Sequence, residues 1–258
     1  MRIGCCGGID QIPTLRVAGY DYVELRVVDL RPDEQEGSYA PLRREIQDGG
    51  LPAEAFNVFI PPHHPVVGPG HDLPALRAYV SVAMGRMREL GGRLVVFGSA
   101  RARVTPAGFD RARAPGQILD FLRMAGEVAT AHDLNVVIEP LARTACDNIN
   151  TVVEGAVVAR ESGHARVWTL ADWWHMHHND EPLSNLAEAK ERLRHVHVPV
   201  GPLPGKPAQR TDADYDAFLA ALKAAGYDSR VSVEDNGKRF TDLATEAPAA
   251  LAYLRARL

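Results

Sequence analysis

Three carboxylates and one imidazole stand at the ends of four successive apolar runs, and side chains of these types are common ligands of divalent metal ions. They are Glu139 in NVVIEPL, Asp172 in RVWTLADWWHM, His197 in RHVHVPV and Glu234 in RVSVEDN. Mainly oxygen ligands with one imidazole favour Mn²⁺, Mg²⁺ or Co²⁺ over a structural zinc, for which cysteine and histidine dominate. The residue types therefore predict a site for one divalent metal ion.

The spacing of these four residues indicates that they project from successive strands of one barrel. They are 33, 25 and 37 residues apart, and a (β/α)₈ barrel uses roughly 31 residues for each strand–helix unit. Four protein ligands would leave two positions of an octahedral shell for adjacent oxygens of a hydroxy-ketone. A metal at that place would polarise the carbonyl and stabilise an enediolate. Glu139 and Glu234, three strands apart, could then act as the acid/base pair.

The rest of the chain supplies the elements that such a site requires. Short apolar runs, each followed by a loop and an amphipathic segment, predict parallel strands alternating with helices. The predicted strands cover residues 2–6, 21–25, 55–59, 93–97, 135–139, 166–170, 193–198 and 230–234. Helices are predicted over 73–90, 212–225 and 242–256, and Asp72 is the expected N-cap of the first of these. The pattern predicts one α/β domain over residues 1–258, a (β/α)₈ TIM barrel.

The composition of the chain limits the binding partners and the cellular compartment that we expect for this protein. The net charge of −4 gives no broad basic surface, so no nucleic-acid partner is expected. No apolar run approaches the length of a membrane span, and the N-terminus lacks the organisation of a signal peptide. Three cysteines are too few for a disulfide framework. A cytoplasmic protein without a membrane partner is expected, and a homo-oligomer is possible.

The longest irregular stretches follow the third, fourth and seventh predicted strands, at 61–71, 98–116 and 199–210. In a TIM barrel such loops lie on the face that carries the active site. Eight of the ten histidines fall at or after strand ends, which core packing alone does not explain. They are His63, His64, His71, His175, His177, His178, His195 and His197. The first three could belong to a lid, while His177 and His178 do not complete a second ligand set.

Four motifs resemble the sugar phosphate isomerase/epimerase superfamily. They are IEPLAR at 138–143, ADWWHM at 171–176, HVHV at 195–198 and VSVE at 231–234, and they follow one another in the family's order. The resemblance implies a xylose isomerase-like TIM barrel, as in the ketose 3-epimerases and hydroxypyruvate isomerases.

The same resemblance implies roles for the residues at the strand ends. Glu139, Asp172, His197 and Glu234 would bind one divalent ion, with Mn²⁺ the first expectation and Mg²⁺, Co²⁺ or Zn²⁺ the alternatives. Glu139 and Glu234 would also exchange the substrate proton. Strand alternation points His195 and His197 the same way, so only the family's use of the second histidine in HVHV favours His197.

Substrate contacts are expected from side chains around this centre. The resemblance makes His175 a ligand of substrate oxygens. Arg143 could orient Glu139 or bind substrate, or form an ordinary ion pair, and Trp174 could stack on a sugar or only pack. The ketose epimerases carry a substrate-binding arginine where Leu203 stands by position. Lys206 could replace it, and a tagatose- or psicose-type substrate is not favoured.

Three further charged residues have two interpretations each. Arg101 and Arg103 could bind an anionic group of the substrate, or lie in a solvated loop. Glu24 stands near the end of the second predicted strand and faces the site by position, but could instead pair with Arg26 or another barrel residue.

The function expected first is a metal-dependent isomerase or epimerase acting on a small sugar or keto-acid. A lyase resembling the dehydroshikimate dehydratases could use the same enediolate, and a non-catalytic metal-binding barrel is the remaining alternative. An endonuclease of the apurinic-site type would need a fuller set of zinc ligands and a basic groove, which the net negative charge disfavours.

Overall fold

Eight parallel strands close into a barrel in which each strand pairs with the next along the chain, and the last pairs with the first. The computed structural model describes residues 1–206, 208–209, 212–235 and 240–258. The strands are β1 (Arg2–Cys6), β2 (Tyr22–Arg26), β3 (Ala53–Asn57), β4 (Leu94–Phe97), β5 (Asn135–Ile138), β6 (Val167–Asp172), β7 (Leu193–Val198) and β8 (Arg230–Val233). The predicted (β/α)₈ barrel is confirmed.

Helices connect the strands and cover the outside of the barrel. Those in the described residues are α1 (Ile12–Ala18), α2 (Glu36–Asp48), α3 (Leu73–Glu89), α4 (Ala100–Arg103), α5 (Ala114–Ala131), α6 (Val152–Glu161), α7 (Trp173–His178), α8 (Ser184–Ala189), α9 (Tyr215–Ala224) and α10 (Leu243–Arg255). None of these helices combines the length and the apolar character that crossing a membrane requires.

The apolar core has two parts because strand residues alternate between the inside and the outside of the barrel. The larger part lies between the strands and the surrounding helices. The smaller part includes Tyr22, Val96 and Leu170, all buried. Tyr22 and Glu24 are two residues apart on β2, so both point into the barrel, with Glu24 nearer the carboxyl end.

The observed elements differ from the predicted ones mainly at their ends. β3 begins and ends two residues before the predicted strand. It ends at Asn57 because Val58 adopts a left-handed backbone, with φ of 48°, that cannot continue a strand. The predicted loop 98–116 contains α4 and the start of α5. Asp72 accepts a hydrogen bond from the Ala75 backbone, as an N-cap does. In the predicted loop 199–210, positions 207 and 210 lie outside the described residues.

Candidate metal centre

Four side chains meet at the carboxyl ends of β5 to β8. Asp172 is the last residue of β6, His197 lies one residue before the end of β7, and Glu139 and Glu234 directly follow β5 and β8. The backbone N–H of Glu139 donates to the Phe97 carbonyl, which holds its carboxylate at the barrel mouth. One candidate ligand atom from each of the four lies within 4.8 Å of the others.

His197 directs one ring nitrogen at the three carboxylates. Its Nδ1 lies 3.3 Å from Glu139 Oε1, 3.4 Å from Glu234 Oε2 and 3.8 Å from Asp172 Oδ2. Its Nε2 lies 2.9 Å from Glu24 Oε1. Because an ionised carboxylate only accepts, the hydrogen of a neutral imidazole sits on Nε2 and the lone pair on Nδ1. This buried Nδ1 has no hydrogen-bond partner among the described residues.

The carboxylates around His197 favour a positive charge at this site. Burial disfavours a charged imidazolium, but the carboxylates of Glu24 and Glu234 outweigh it, so the pKa of His197 is raised well above its ordinary value. Burial, with repulsion from Glu234, raises the pKa of Asp172. A proton on His197 can balance this charge, and so can a metal ion. A buried imidazole nitrogen that faces three carboxylate oxygens fits a hard or borderline divalent ion, which would take the place of the proton.

Glu24 anchors His197 from inside the barrel. The fully buried Glu24 also lies 2.9 Å from His195 Nε2 and accepts a hydrogen bond of 2.6 Å from Ser232. Burial alone would raise the pKa of Glu24, yet the two histidines hold it well below its ordinary range. Of the two pairings that the sequence left open, Glu24 pairs with other barrel residues, His195 and His197, whereas Arg26 contacts Asp29 at 3.7 Å.

The two histidines of HVHV, which strand alternation does not distinguish, have different surroundings. Both use Nε2 toward Glu24, but only the Nδ1 of His197 faces the carboxylates of Glu139, Asp172 and Glu234. Burial lowers the pKa of His195. His195 therefore supports Glu24, and His197 alone has a ring nitrogen in the cluster.

His175 lies beside Glu139 with its tautomer fixed. It follows Asp172, whose carboxylate caps α7 by accepting from the His175 backbone at 3.0 Å. The ring Nδ1 accepts from the Ala142 N–H at 2.9 Å. Consequently a neutral His175 carries its hydrogen on Nε2, which lies 4.0 Å from Glu139 Oε1. That N–H is a donor beside the cluster.

Two other candidate substrate residues, Trp174 and Arg143, contact residues outside the cluster. Trp174 stacks on His178, with ring centroids 3.8 Å apart, and meets His175 edge to face. Arg143 lies 3.4 Å from Asn150 Oδ1 and lines a separate cavity of about 330 Å³. Through these contacts Trp174 supports His175, and Arg143 borders the separate cavity.

Lys206 is held by Glu246 at the start of α10 and by Thr241, which precedes that helix. Its Nζ lies 2.7 Å from Glu246 and 3.0 Å from Thr241 Oγ1. Leu203, which stands where the ketose epimerases carry an arginine, is buried in the apolar core. Thr241, the partner of Lys206, lines the cavity beside Glu234, so Lys206 is linked to that cavity through Thr241.

Both interpretations of Arg103, an anion contact and a residue of a solvated loop, are wrong. Arg103 is fully buried and donates to the carbonyls of Phe97 at 3.0 Å and Glu139 at 2.6 Å. Its guanidinium also lies over the Phe97 ring, 5.4 Å from the centroid. It thus positions the ends of β4 and β5, whereas Arg101 is exposed.

Gly98, at the end of β4, makes room for the Glu139 carboxylate. A Cβ atom at Gly98 would lie 2.0 Å from Glu139 Oε2, well inside contact distance. A side chain there would displace one of the four clustered groups. The sequence signal was a glycine directly after a strand, which also occurs in ordinary turns.

A cavity of about 560 Å³ adjoins the cluster on the side of β1 to β3. Glu234 of the cluster and its neighbour Glu24 line this cavity. Arg26, Asn57 and Thr241 supply further polar groups. Its volume is within the range of small-molecule sites. A ligand seated in it would touch Glu234 directly.

A (β/α)₈ barrel with acidic and imidazole side chains gathered on its carboxyl-terminal face has the layout of a TIM-barrel enzyme. Residues 13–257 match the family model described as xylose isomerase-like TIM barrel, and the chain belongs to that family. The family predicted from the four motifs is confirmed.

Individual relatives agree with this assignment. The chain is 25% identical over 234 residues to an inosose isomerase of Bacillus velezensis, an alignment covering 84% of this chain and 79% of the relative. A D-psicose 3-epimerase with D-tagatose from Clostridium cellulolyticum H10 superposes with a TM-score of 0.81 at 19% identity, covering 100% and 99% of the two chains. The IOLI protein with a zinc atom has a TM-score of 0.69 at 19% identity, covering 99% and 97%.

Proposed function

We propose that this protein is a divalent-metal-dependent isomerase or epimerase of a small keto-sugar or keto-polyol. The observation that carries the proposal is the Nδ1 of His197, a buried ring nitrogen that faces three carboxylates. The names of the relatives, an inosose isomerase and a D-psicose 3-epimerase, support the reaction class and the kind of substrate.

Glu139, Asp172, His197 and Glu234 would hold the ion. Mn²⁺ is the ion we expect from the oxygen-rich donor set, and zinc is the alternative because a structural relative contains it. When bound, the ion supplies Lewis-acid polarisation of the substrate carbonyl and neutralises the charge that develops on its oxygen.

Glu139 and Glu234 would move the proton. Both touch His197, but they come from β5 and β8, so they approach a bound substrate from different sides. Both are also the more accessible carboxylates, since their side chains are 10% and 21% exposed against 3% for Asp172. One carboxylate would take the proton from carbon and the other would return it, and return to the opposite face inverts that carbon.

His175 would orient the substrate beside Glu139. Its Nε2–H is free to donate to a substrate oxygen because Nδ1 is already bound to the Ala142 N–H. The cavity beside Glu234 would take the remaining hydroxyls, with Asn57 and Arg26 as polar contacts. Arg143, Trp174 and Lys206 remain candidate substrate contacts, with Trp174 acting through His175.

Proton exchange in D₂O tests the proposal. The Mn²⁺-loaded protein is incubated with a panel of ketoses and inososes, and recovered sugars are analysed by NMR and mass spectrometry. Deuterium on carbon in recovered or isomerised sugar is the expected result. An unsaturated product would instead support the lyase, because a hydroxyl group would then have left the substrate.

Matched substitutions connect the reaction to the two carboxylates. Glu139→Gln and Glu234→Gln should each lower exchange by at least about 100-fold, as loss of an acid or base does. Glu188→Gln, on the exposed surface of α8, is the control and should leave exchange unchanged. A protein that binds the metal but shows no exchange with any substrate of the panel would favour the non-catalytic barrel.

A further inference from the structure

We propose that Asp33, His63 and His64 form a second metal site, distinct from the cluster at the barrel mouth, that binds Zn²⁺ or a similar borderline ion. His63 Nε2 lies 2.9 Å from one oxygen of Asp33, and His64 Nε2 lies 2.8 Å from the other. One ligand atom from each residue lies within 4.8 Å of the other two. Two imidazoles and one carboxylate suit zinc, cobalt or nickel better than magnesium.

The loop that carries the two histidines is held in place by α3. The His64 N–H donates to the Pro61 carbonyl at 3.0 Å, which closes a turn just before the pair. Tyr79, buried on α3, donates to the Phe59 carbonyl at 3.0 Å and packs against the His64 ring. The imidazole of His64 is therefore positioned before any ion binds, and His63 lies beside it with ring centroids 4.6 Å apart.

The loop that carries Asp33 is fixed by a second residue of α3. The guanidinium of Arg86, which is 4% exposed, donates to the carbonyls of Leu30 and Glu34 at 2.8 Å each, and to that of Arg31. Asp33 lies inside this short segment. Both loops are thus anchored to one helix, which reduces the ordering that an ion would have to impose.

The exposure of the side chains leaves room for an incoming cation. The side chains of His63 and Asp33 are 64% and 46% exposed, and water can fill the remaining positions around an ion. A neutral imidazole that now donates through Nε2 would bind through the same atom with its hydrogen moved to Nδ1.

This site would join the loop after β2 to the loop after β3. Both are loops of the barrel face that carries the four-residue cluster, so occupancy would restrain part of the wall beside the cavity. The inference does not rest on the proposed function, because it shares no residue with that cluster.

Zinc stoichiometry provides the test. The purified protein is stripped of metal, dialysed against Zn²⁺ and measured by elemental analysis, with folding checked by circular dichroism. The variant with His63→Ala and His64→Ala should bind one zinc per chain fewer than wild type, and Asp33→Asn should bind that ion at least about tenfold more weakly. His71→Ala, in the same loop but outside the cluster, is the control and should match wild type.

A second arm separates this site from the barrel mouth. Asp172→Asn is introduced both into the wild-type protein and into the protein with His63→Ala and His64→Ala. The second of these should again bind one zinc ion fewer than the first. It should also lack a Co²⁺ absorption spectrum that the first one shows. Equal zinc content in folded wild type and double variant would overturn the site. Loss of an equivalent ion in the His71→Ala control would overturn it as well, because binding would then not depend on this geometry.

Discussion

Glu24 and His197 face each other across the interior of the barrel, with Glu24 Oε1 2.9 Å from His197 Nε2. Glu24 belongs to β2 and His197 to β7, and both side chains are completely buried. The contact fixes which ring nitrogen carries the hydrogen and so leaves Nδ1 to face the carboxylates. In metalloproteins such outer partners orient the ligand and raise its basicity.

Glu24→Gln is expected to weaken binding of a divalent ion by about 10- to 100-fold, the usual effect of losing such a partner. The amide has no negative charge and can turn its NH₂ group toward Nε2, which would move the histidine hydrogen to Nδ1. Calorimetric titration with Mn²⁺ measures the change. Glu54→Gln is the control, because Glu54 is ion-paired with Arg2 and Arg230 at the opposite end of the barrel. Equal losses in both variants would contradict the orienting role.

Metal binding should release protons and strengthen as the pH rises. The pKa of His197 is raised well above its ordinary value in the metal-free protein, so both ring nitrogens carry a hydrogen at neutral pH. An incoming ion must displace the hydrogen on Nδ1. Titrations in buffers of different ionisation enthalpy would count the released protons. Affinity that does not increase as the pH rises above the ordinary histidine pKa of about 6.5 would contradict this expectation.

The stability of the metal-free protein should fall on both sides of an intermediate pH. Because the pKa of His197 is raised in the folded protein, protonation of this residue stabilises the fold. The stabilisation is fully present at pH values below the pKa of the unfolded chain, and it is lost as the pH rises through the pKa of the folded protein. The lowered pKa of Glu24 makes its charge stabilising above the unfolded pKa, and that contribution is lost as the pH falls through the folded value. Urea unfolding over a pH series measures the profile. Saturating Mn²⁺ should remove the decline at high pH, since the ion replaces the proton.

Gly98→Ala should disturb the cluster with little effect on the rest of the fold. The added Cβ would meet Glu139 Oε2 at 2.0 Å, so the carboxylate must move, and we expect metal affinity to fall by at least about tenfold. Gly116→Ala is the matched control, because its Cβ meets no atom within 4 Å and lies in α5. That substitution should raise the free energy of unfolding by up to about 1 kcal/mol. Unchanged metal affinity in Gly98→Ala would contradict the role of Gly98 in making room for the Glu139 carboxylate.

The fold and the convergence of the four clustered residues could be predicted from sequence because both depend on local patterns. Apolar runs and their spacing determine the strands, and parallel strands bring their carboxyl ends to one face. The partners of Glu24 could not be predicted in this way. His195 and His197 lie 171 and 173 residues away along the chain, and only barrel closure makes them neighbours.

Arg103 shows a second limit of the sequence. An arginine in a polar loop has the same local pattern whether it is solvated or folded back under the strand ends. Its burial depends on α4, a single helical turn that brings the guanidinium to the carbonyls of Phe97 and Glu139. Short-range propensity does not specify such a turn.

Arg103→Lys should therefore destabilise the protein far more than Arg101→Lys. Lysine cannot bridge two carbonyl groups with a planar fork, so at least one buried carbonyl would lose a charged donor. We expect a loss of about 2–3 kcal/mol in the free energy of unfolding for Arg103→Lys. The exposed Arg101 should change by less than about 0.5 kcal/mol. Chemical denaturation of both variants without metal measures the difference, and equal midpoints would mean that Arg103 does not hold the ends of β4 and β5.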